Sequence, residues 1–182
     1  ISDLIDTDGG YIPIPDAINI KALVAFSSSL LVFADNGVWE IAGGDRGFTA
    51  TEYQTKFISN NGAISADSIV VTPSSVLFWS EEGIYAISIG QTGVELQSLT
   101  ESSIQSLYNE IPYTSKVRAV GYYDEVEYRA RWLYMVDGLV INSTLTPCGY
   151  TNELILDMSI PAFSKFAFKF FDGPGTPLCT GY

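Results

Sequence analysis

Histidine is absent from the 182 residues, and basic side chains are few: 9 Lys+Arg stand against 21 Asp+Glu, a formal net charge of -12. Without histidine, a Ser-His-Asp triad, a Cys-His pair and a His-rich zinc site are all excluded. The shortage of Lys and Arg argues against tight nucleic-acid binding, which is driven by neutralising phosphates. It leaves open a surface past which nucleic acid moves without sticking. Only two cysteines occur, Cys148 and Cys179, too few for a zinc site by themselves. They form one disulfide or remain two thiols, and the redox compartment decides between the two. No apolar run approaches the roughly 20 residues of a membrane-spanning helix. Charged residues make up 16% and hydrophobic residues 47% of the chain, which excludes intrinsic disorder. The first residues, Ile1-Ser2-Asp3-Leu4, lack the basic start of a secretory signal. Ile1 is not an initiator methionine, so a processed chain or a piece of a longer one is expected. The length suits one domain, residues 1–182.

What the sequence does contain is a repeat. Ser29-Leu-Leu-Val-Phe-Ala-Asp-Asn-Gly-Val-Trp-Glu-Ile41 aligns without a gap on Ser75-Val-Leu-Phe-Trp-Ser-Glu-Glu-Gly-Ile-Tyr-Ala-Ile87, and the same register pairs Ala17 with Ala63, Ile18 with Ile64 and Val24 with Val70. A period in the forties is that of propeller blades or paired-helix solenoids. The local pattern chooses the first. Leu30–Phe33 and Val76–Trp79 are short apolar runs of β-formers, suited to strands covered on both faces. Each is followed by an acidic turn closing on glycine, Asp35-Asn36-Gly37 and Glu81-Glu82-Gly83, where a tight hairpin is expected to want positive φ. The return strands alternate, with Trp39 and Ile41 on one face and Tyr85, Ile87 and Ile89 on the matching one. Ala22–Phe26 and Ser68–Thr72 supply a preceding strand.

A third unit is more diverged. Ile111-Pro112 through Arg118-Ala119 echoes Ile14-Pro15 through Lys21-Ala22. Tyr128, Ala130, Trp132, Tyr134 and Val136 alternate along a strand ending in the Asp137-Gly138 turn, and Leu154–Met158 is its partner after a long loop. One short helix is expected near 101–110, with Thr100 as cap, Ile104, Leu107, Tyr108 and Ile111 on one face, and Pro112 as stop. The expected fold is all-β: propeller-like blades of antiparallel strands, a partial propeller or a fragment of a larger chain. The units run approximately 12–57, 58–110 and 111–170.

Few residues suggest chemistry. Asp35 and Glu40 flank a turn, but nothing in their spacing shows a facing carboxylate pair. Asp35-Asn36-Gly37-Val38-Trp39 is similar on the surface to the Asp-box of sialidase propellers, yet the spacing differs and Phe33 stands where the serine belongs. Glu81 and Glu82 are adjacent, so strand geometry sends them to opposite faces. Asn142-Ser143-Thr144 matches a glycosylation acceptor, a frequent chance match. Arg129 and Arg131 share a face, with Lys116 and Arg118 nearby in sequence; a small basic spot and salt bridges to the surplus carboxylates are the two readings, the second favoured. Trp39, Trp79 and Trp132 sit in apolar alternation, which reads as blade core rather than sugar platforms. No catalytic, cofactor-binding or metal-ligating residue is assigned, no cofactor is expected, and no enzymatic activity is expected.

Leu31-Val-Phe-Ala-Asp-Asn-Gly-Val-Trp39, Leu77-Phe-Trp-Ser-Glu-Glu-Gly-Ile-Tyr85, Arg118-Ala-Val-Gly-Tyr-Tyr-Asp124 followed by Arg131-Trp-Leu-Tyr134, and Leu154-Ile-Leu-Asp157 followed by Ala162-Phe163 resemble the β-propeller region of phage tail nozzle proteins, also called tail tubular protein B. The resemblance spans most of residues 12–168 and rests on structural residues, not a catalytic signature. It implies a structural virion protein of a short-tailed phage, part of the tube through which the genome leaves. It further implies a homohexamer, contacts with adaptor and tail-fibre proteins, passage of DNA without tight binding, and a place in the virion after assembly in the host cytoplasm. The alternative from another class is a secreted or cell-surface propeller that binds carbohydrate or protein, with a glycosidase-like role as its least favoured form.

Overall fold

The computed structural model describes residues 12–43, 52–90, 93–135 and 151–167. The fold is all-β. Strands β1 (Ile20–Phe26), β2 (Ser29–Ala34), β3 (Gly37–Gly43) and β4 (Tyr53–Ser59) form one sheet; β5 (Val70–Val71), β6 (Ser75–Trp79), β7 (Ile84–Gly90) and β8 (Gly93–Ser98) a second; β9 (Val120–Asp124), β10 (Arg129–Tyr134), β11 (Asn152–Asp157) and β12 (Ala162–Ala167) a third. Every sheet is an antiparallel meander in chain order, the local plan of a propeller blade. No closed barrel forms among the described residues.

The repeat is visible in the registers. Phe33 pairs with Val38 across the first hairpin and Phe78 with Tyr85 across the second. Because side chains alternate, the continuous apolar runs of the first two sheets supply both faces with apolar side chains, while the third sheet is apolar on its inner face. Leu31, Phe33 and Val38 of the first sheet meet Val76, Phe78 and Ile87 of the second in one core cluster. Leu77, Trp79, Ile84 and Ala86, on the second sheet's other face, meet Ala130, Trp132, Tyr134, Leu154 and Leu156 of the third. Ring pairs fill both seams: Phe33 meets Phe78 edge-on at 5.2 Å, while Trp79 lies 6.0 Å from Trp132 and 5.7 Å from Tyr134. Phe33 and Trp79 are repeat equivalents, and each faces the following sheet. The equivalents Trp39 and Tyr85 likewise share the opposite face. Their neighbours differ, because Tyr85 stacks on Phe78 against the first sheet, whereas Trp39 packs with Val32, Ala34, Ile41 and the edge of Phe57.

Several expectations need correction. Gly37 and Gly83 do not adopt positive φ; among the described residues the positive-φ positions are Asn19, Ser27, Tyr128 and Gly93. Space, not conformation, explains both turn glycines: a Cβ on Gly37 would lie 2.6 Å from the Ser59 carbonyl oxygen, and one on Gly83 2.5 Å from Thr100 Oγ1. The helix is shorter than expected, α1 (Gln105–Asn109), and residues 101–104 form turns ahead of it. Thr100 is not its cap, since its hydroxyl donates to the Gln105 side chain at 2.9 Å. Pro112 does end that helix but also starts another, α2 (Tyr113–Val117), because its carbonyl accepts from the N–H groups of Ser115 and Lys116. The echoed segment Ile14–Ala22 instead makes a turn at Pro15-Asp16 before β1. In the third unit, Tyr128 precedes β10 rather than starting it, with φ 54°. Ile89 is exposed rather than sharing the buried face of Ile87. Val136, the Asp137-Gly138 turn, Asn142, Cys148 and Cys179 lie outside the described residues.

Connecting segments hold the hairpin tips. Asp35 forms an ion pair with Lys21 at 2.8 Å and accepts from the Asn19 amide, and Asn36 bonds Ile18 N–H and the Asp16 carbonyl. At the second tip, the Lys116 ammonium donates to the Glu81 carbonyl at 2.9 Å from above the Tyr108 ring, and Gln105 donates to the Glu82 carbonyl. Burial holds the Lys116 ammonium below the usual lysine range, partly offset by the Glu81 carboxylate.

Candidate functional site

The side chains singled out in the sequence are dispersed. Asp35 is engaged by Lys21 and Asn19 at a hairpin tip, while Glu40 accepts from the Ser29 hydroxyl at 2.6 Å on the flank of β3. They share no partner and form no carboxylate pair. Glu81 and Glu82 are exposed at the second tip. Trp39, Trp79 and Trp132 are buried in the core, as the alternation implies, and offer no ring face to a sugar. Lys116 and Arg118 belong to the connector; Lys116 is buried against Tyr108, apart from the arginines of β10. Among the described residues, no group of three or more Cys, Asp or Glu side chains has a metal-binding arrangement.

Arg129 and Arg131 do share a face, the one opposite Trp132 on β10. There the alternation that makes the inner face apolar places charge on the outer one. Arg129 lies across the ladder from Asp157 and Arg131 from Ile155. Arg131 reaches Glu153 at 3.2 Å, Asp124 at 3.6 Å and Glu127, and Arg129 bonds Glu127 at 2.6 Å and Asp157 at 3.3 Å. The Tyr122 hydroxyl donates to Glu153 at 3.2 Å. Four carboxylates thus surround two guanidiniums, so the salt-bridge reading holds and no free basic spot forms here.

The electrostatics follow from these contacts. Arg131 loses some of its charge preference to desolvation, but Glu153, Tyr122 and Glu127 outweigh it and hold the guanidinium above its ordinary value. The Asp157 carboxyl sits below the usual carboxylate range, first because it accepts the Ser159 backbone N–H and then because of Arg129. Burial, followed by the Glu153 charge, pushes the Tyr122 phenol up. Equivalent forward-facing positions of the first two sheets are apolar, Leu31 and Phe33 in one and Leu77 and Trp79 in the other. The charged face therefore breaks the apolar stacking pattern at the third sheet.

One feature of this sheet was not read from the sequence. The β9–β10 loop, residues 125–128, and the β11–β12 loop, residues 158–161, lie side by side, joined by a hydrogen bond from Met158 N–H to the Tyr128 carbonyl at 3.0 Å. They expose Val126, Tyr128 and Ile160 to solvent at 89%, 61% and 69%. The Glu125-Val126-Glu127-Tyr128 alternation conceals this, since it matches the strand that follows. Val126 and Ile160 are the two most exposed large apolar side chains among the described residues. No protein-family model matches the chain, and no curated protein matches it.

Proposed function

We propose that the chain is a structural, non-catalytic part of the tail nozzle of a short-tailed phage, built into a homohexameric ring through which DNA passes. One observation carries the reading. The segments that resemble the nozzle propeller fall in all three meander sheets: in the corresponding β2–β3 and β6–β7 hairpins of the first two, and in β9–β10 and β11–β12 of the third. In the first two sheets the resemblance therefore follows a repeated hairpin rather than scattered hydrophobic matches. The engagement of Asp35, Glu40 and the buried tryptophans in structural contacts supports a non-catalytic role. The net charge of -12 supports a conduit over a clamp, because an acidic wall repels a polyanion and limits sticking.

Labelling tests the reading. An antibody raised against the purified chain is expected to decorate the distal end of tails in electron micrographs of purified phage particles. Decoration of bacterial or host cell surfaces, with tails unlabelled, overturns it in favour of a surface propeller.

A further inference from the structure

The exposed loop pair of the third sheet has a composition that folding alone does not explain. At the same end of the other sheets, the β1–β2 turn is Ser27-Ser28 and the β5–β6 turn runs through Thr72-Pro73-Ser74, small residues that bond locally, as Thr72 does with Ser75. The third sheet has instead a longer loop with Val126 and Tyr128, next to Ile160. Tyr128 holds φ 54°, a left-handed conformation that disfavours a bulky side chain and suits Gly or Asn. A ring is thus held in solvent at a cost to stability, beside two other solvent-facing aliphatic side chains.

The surroundings are rigid and acidic. Asp124 accepts from the N–H groups of Val126 and Glu127 at 3.1 Å each, which fixes the loop. Arg129 and Arg131 anchor Glu127 and Asp157 to the sheet beneath. The carboxylates of this end, Asp124, Glu125, Glu127, Glu153 and Asp157, outnumber Arg129 and Arg131, so the surroundings of the tip keep a net negative charge.

We propose that this loop pair is a docking knob for a protein partner whose receiving surface is an apolar socket rimmed by Lys and Arg. Charge complementarity selects that occupant. A second copy of the chain carries the same net charge of -12; among its described basic residues Lys21 is paired with Asp35, Lys116 is buried, Arg129 and Arg131 are bound within the ion network, and the exposed Lys56, Arg118 and Lys165 stand one each on β4, at the end of α2 and on β12. The proposal stands independently of the tail assignment, because it rests on the third sheet alone.

The test uses the purified full chain, immobilised, and a displayed library of random short peptides. Enriched peptides are expected to carry a Leu, Ile, Phe or Trp centre flanked by Lys or Arg. Their binding is expected to weaken with salt, as exposed charges are screened. The triple variant V126S/Y128S/I160S loses about tenfold or more in affinity, as for the central anchors of an interface. Val126→Ser alone, at the most exposed position, lowers affinity severalfold with the circular dichroism spectrum unchanged. Tyr128→Gly separates function from folding: its unfolding midpoint stays or rises while binding falls. Equal enrichment on the wild type and the triple variant overturns the proposal, as does enrichment of acidic peptides. Two further outcomes overturn it by naming another occupant: self-association in sedimentation that the triple variant abolishes, or binding of phosphatidylcholine vesicles that it abolishes.

Discussion

Trp132 donates its indole N–H to the backbone carbonyl of Ser68 at 2.9 Å, a buried bond between residues 64 positions apart. It ties the third sheet to the short 3-10 turn Ala66–Ser68 that leads into the second. Trp132→Phe keeps most of the apolar volume but leaves that carbonyl unpaired. The expected loss is about 1–3 kcal/mol in urea unfolding, against roughly 3–5 kcal/mol for Trp132→Ala, which also opens a cavity. Equal losses for the two variants contradict the hydrogen bond's role.

The turn glycines should separate by what stands in the way of a side chain. A Cβ at Gly37 meets a backbone oxygen, that of Ser59, while one at Gly83 meets the movable hydroxyl of Thr100. Gly37→Ala is therefore expected to cost about 1–3 kcal/mol, as other overpacked sites do, and Gly83→Ala clearly less. Adding Thr100→Ser, which keeps the hydroxyl but frees its rotamer, should rescue Gly83→Ala and leave Gly37→Ala unchanged.

At Tyr134 the phenol is buried and its hydroxyl has no partner among the described residues. Burial pushes this group up to about 12, and Tyr108 moves in the same direction for the same leading reason. A raised folded value contributes stability that is whole below the ordinary tyrosine value and is lost as pH rises toward the folded one. The unfolding midpoint should thus fall from roughly pH 10 upward. Lys116, whose folded value is lowered, acts in the opposite direction: charging it in the fold is unfavourable, and that cost lifts as pH rises. Tyr134→Phe should be neutral or stabilising by up to about 1 kcal/mol at neutral pH, because no hydrogen bond is lost. It should also make the alkaline decline shallower. A loss greater than that at neutral pH contradicts the unpartnered hydroxyl.

Asp35 controls the acid side. Its carboxyl is held below the usual range by its hydrogen bonds to Lys21 and Asn19, against a smaller effect of burial. Such a group contributes stability above the unfolded value, and the contribution disappears as pH falls through the folded one. Asp35→Asn should flatten the acid limb of a pH–stability curve and cost under about 1 kcal/mol at neutral pH, since the pair is solvent-exposed. An unchanged acid limb excludes the clamp between this hairpin tip and residues 16–21.

The hairpins were legible in the sequence because one signal was written twice. Phe33 and Trp79 occupy the same repeat position, and the structure turns both toward the next sheet. The alternation Ala130-Trp132-Tyr134 likewise marks a buried face. Connectors carry no such period, which is why α2 was missed: Pro112 stops one helix, yet its fixed φ also suits it to lead into another. Tyr128 illustrates a second limit. Its neighbours extend an alternating pattern, and nothing in composition signals a left-handed tyrosine. Sequence proximity also suggested grouping Lys116 with Arg129 and Arg131. Alternation and the connector's path separate them, one onto the Tyr108 ring and the others onto the outer face of the third sheet.

The nozzle assignment is tested most directly by a symmetry-free reconstruction of the tail from purified phage particles. The account predicts a six-fold ring near the distal end, each of whose six units accommodates three stacked four-stranded sheets with this chain's side chains at Phe33, Trp79 and Trp132. Tail density that excludes the three-sheet stack, or particles whose protein content lacks this chain, contradicts the account.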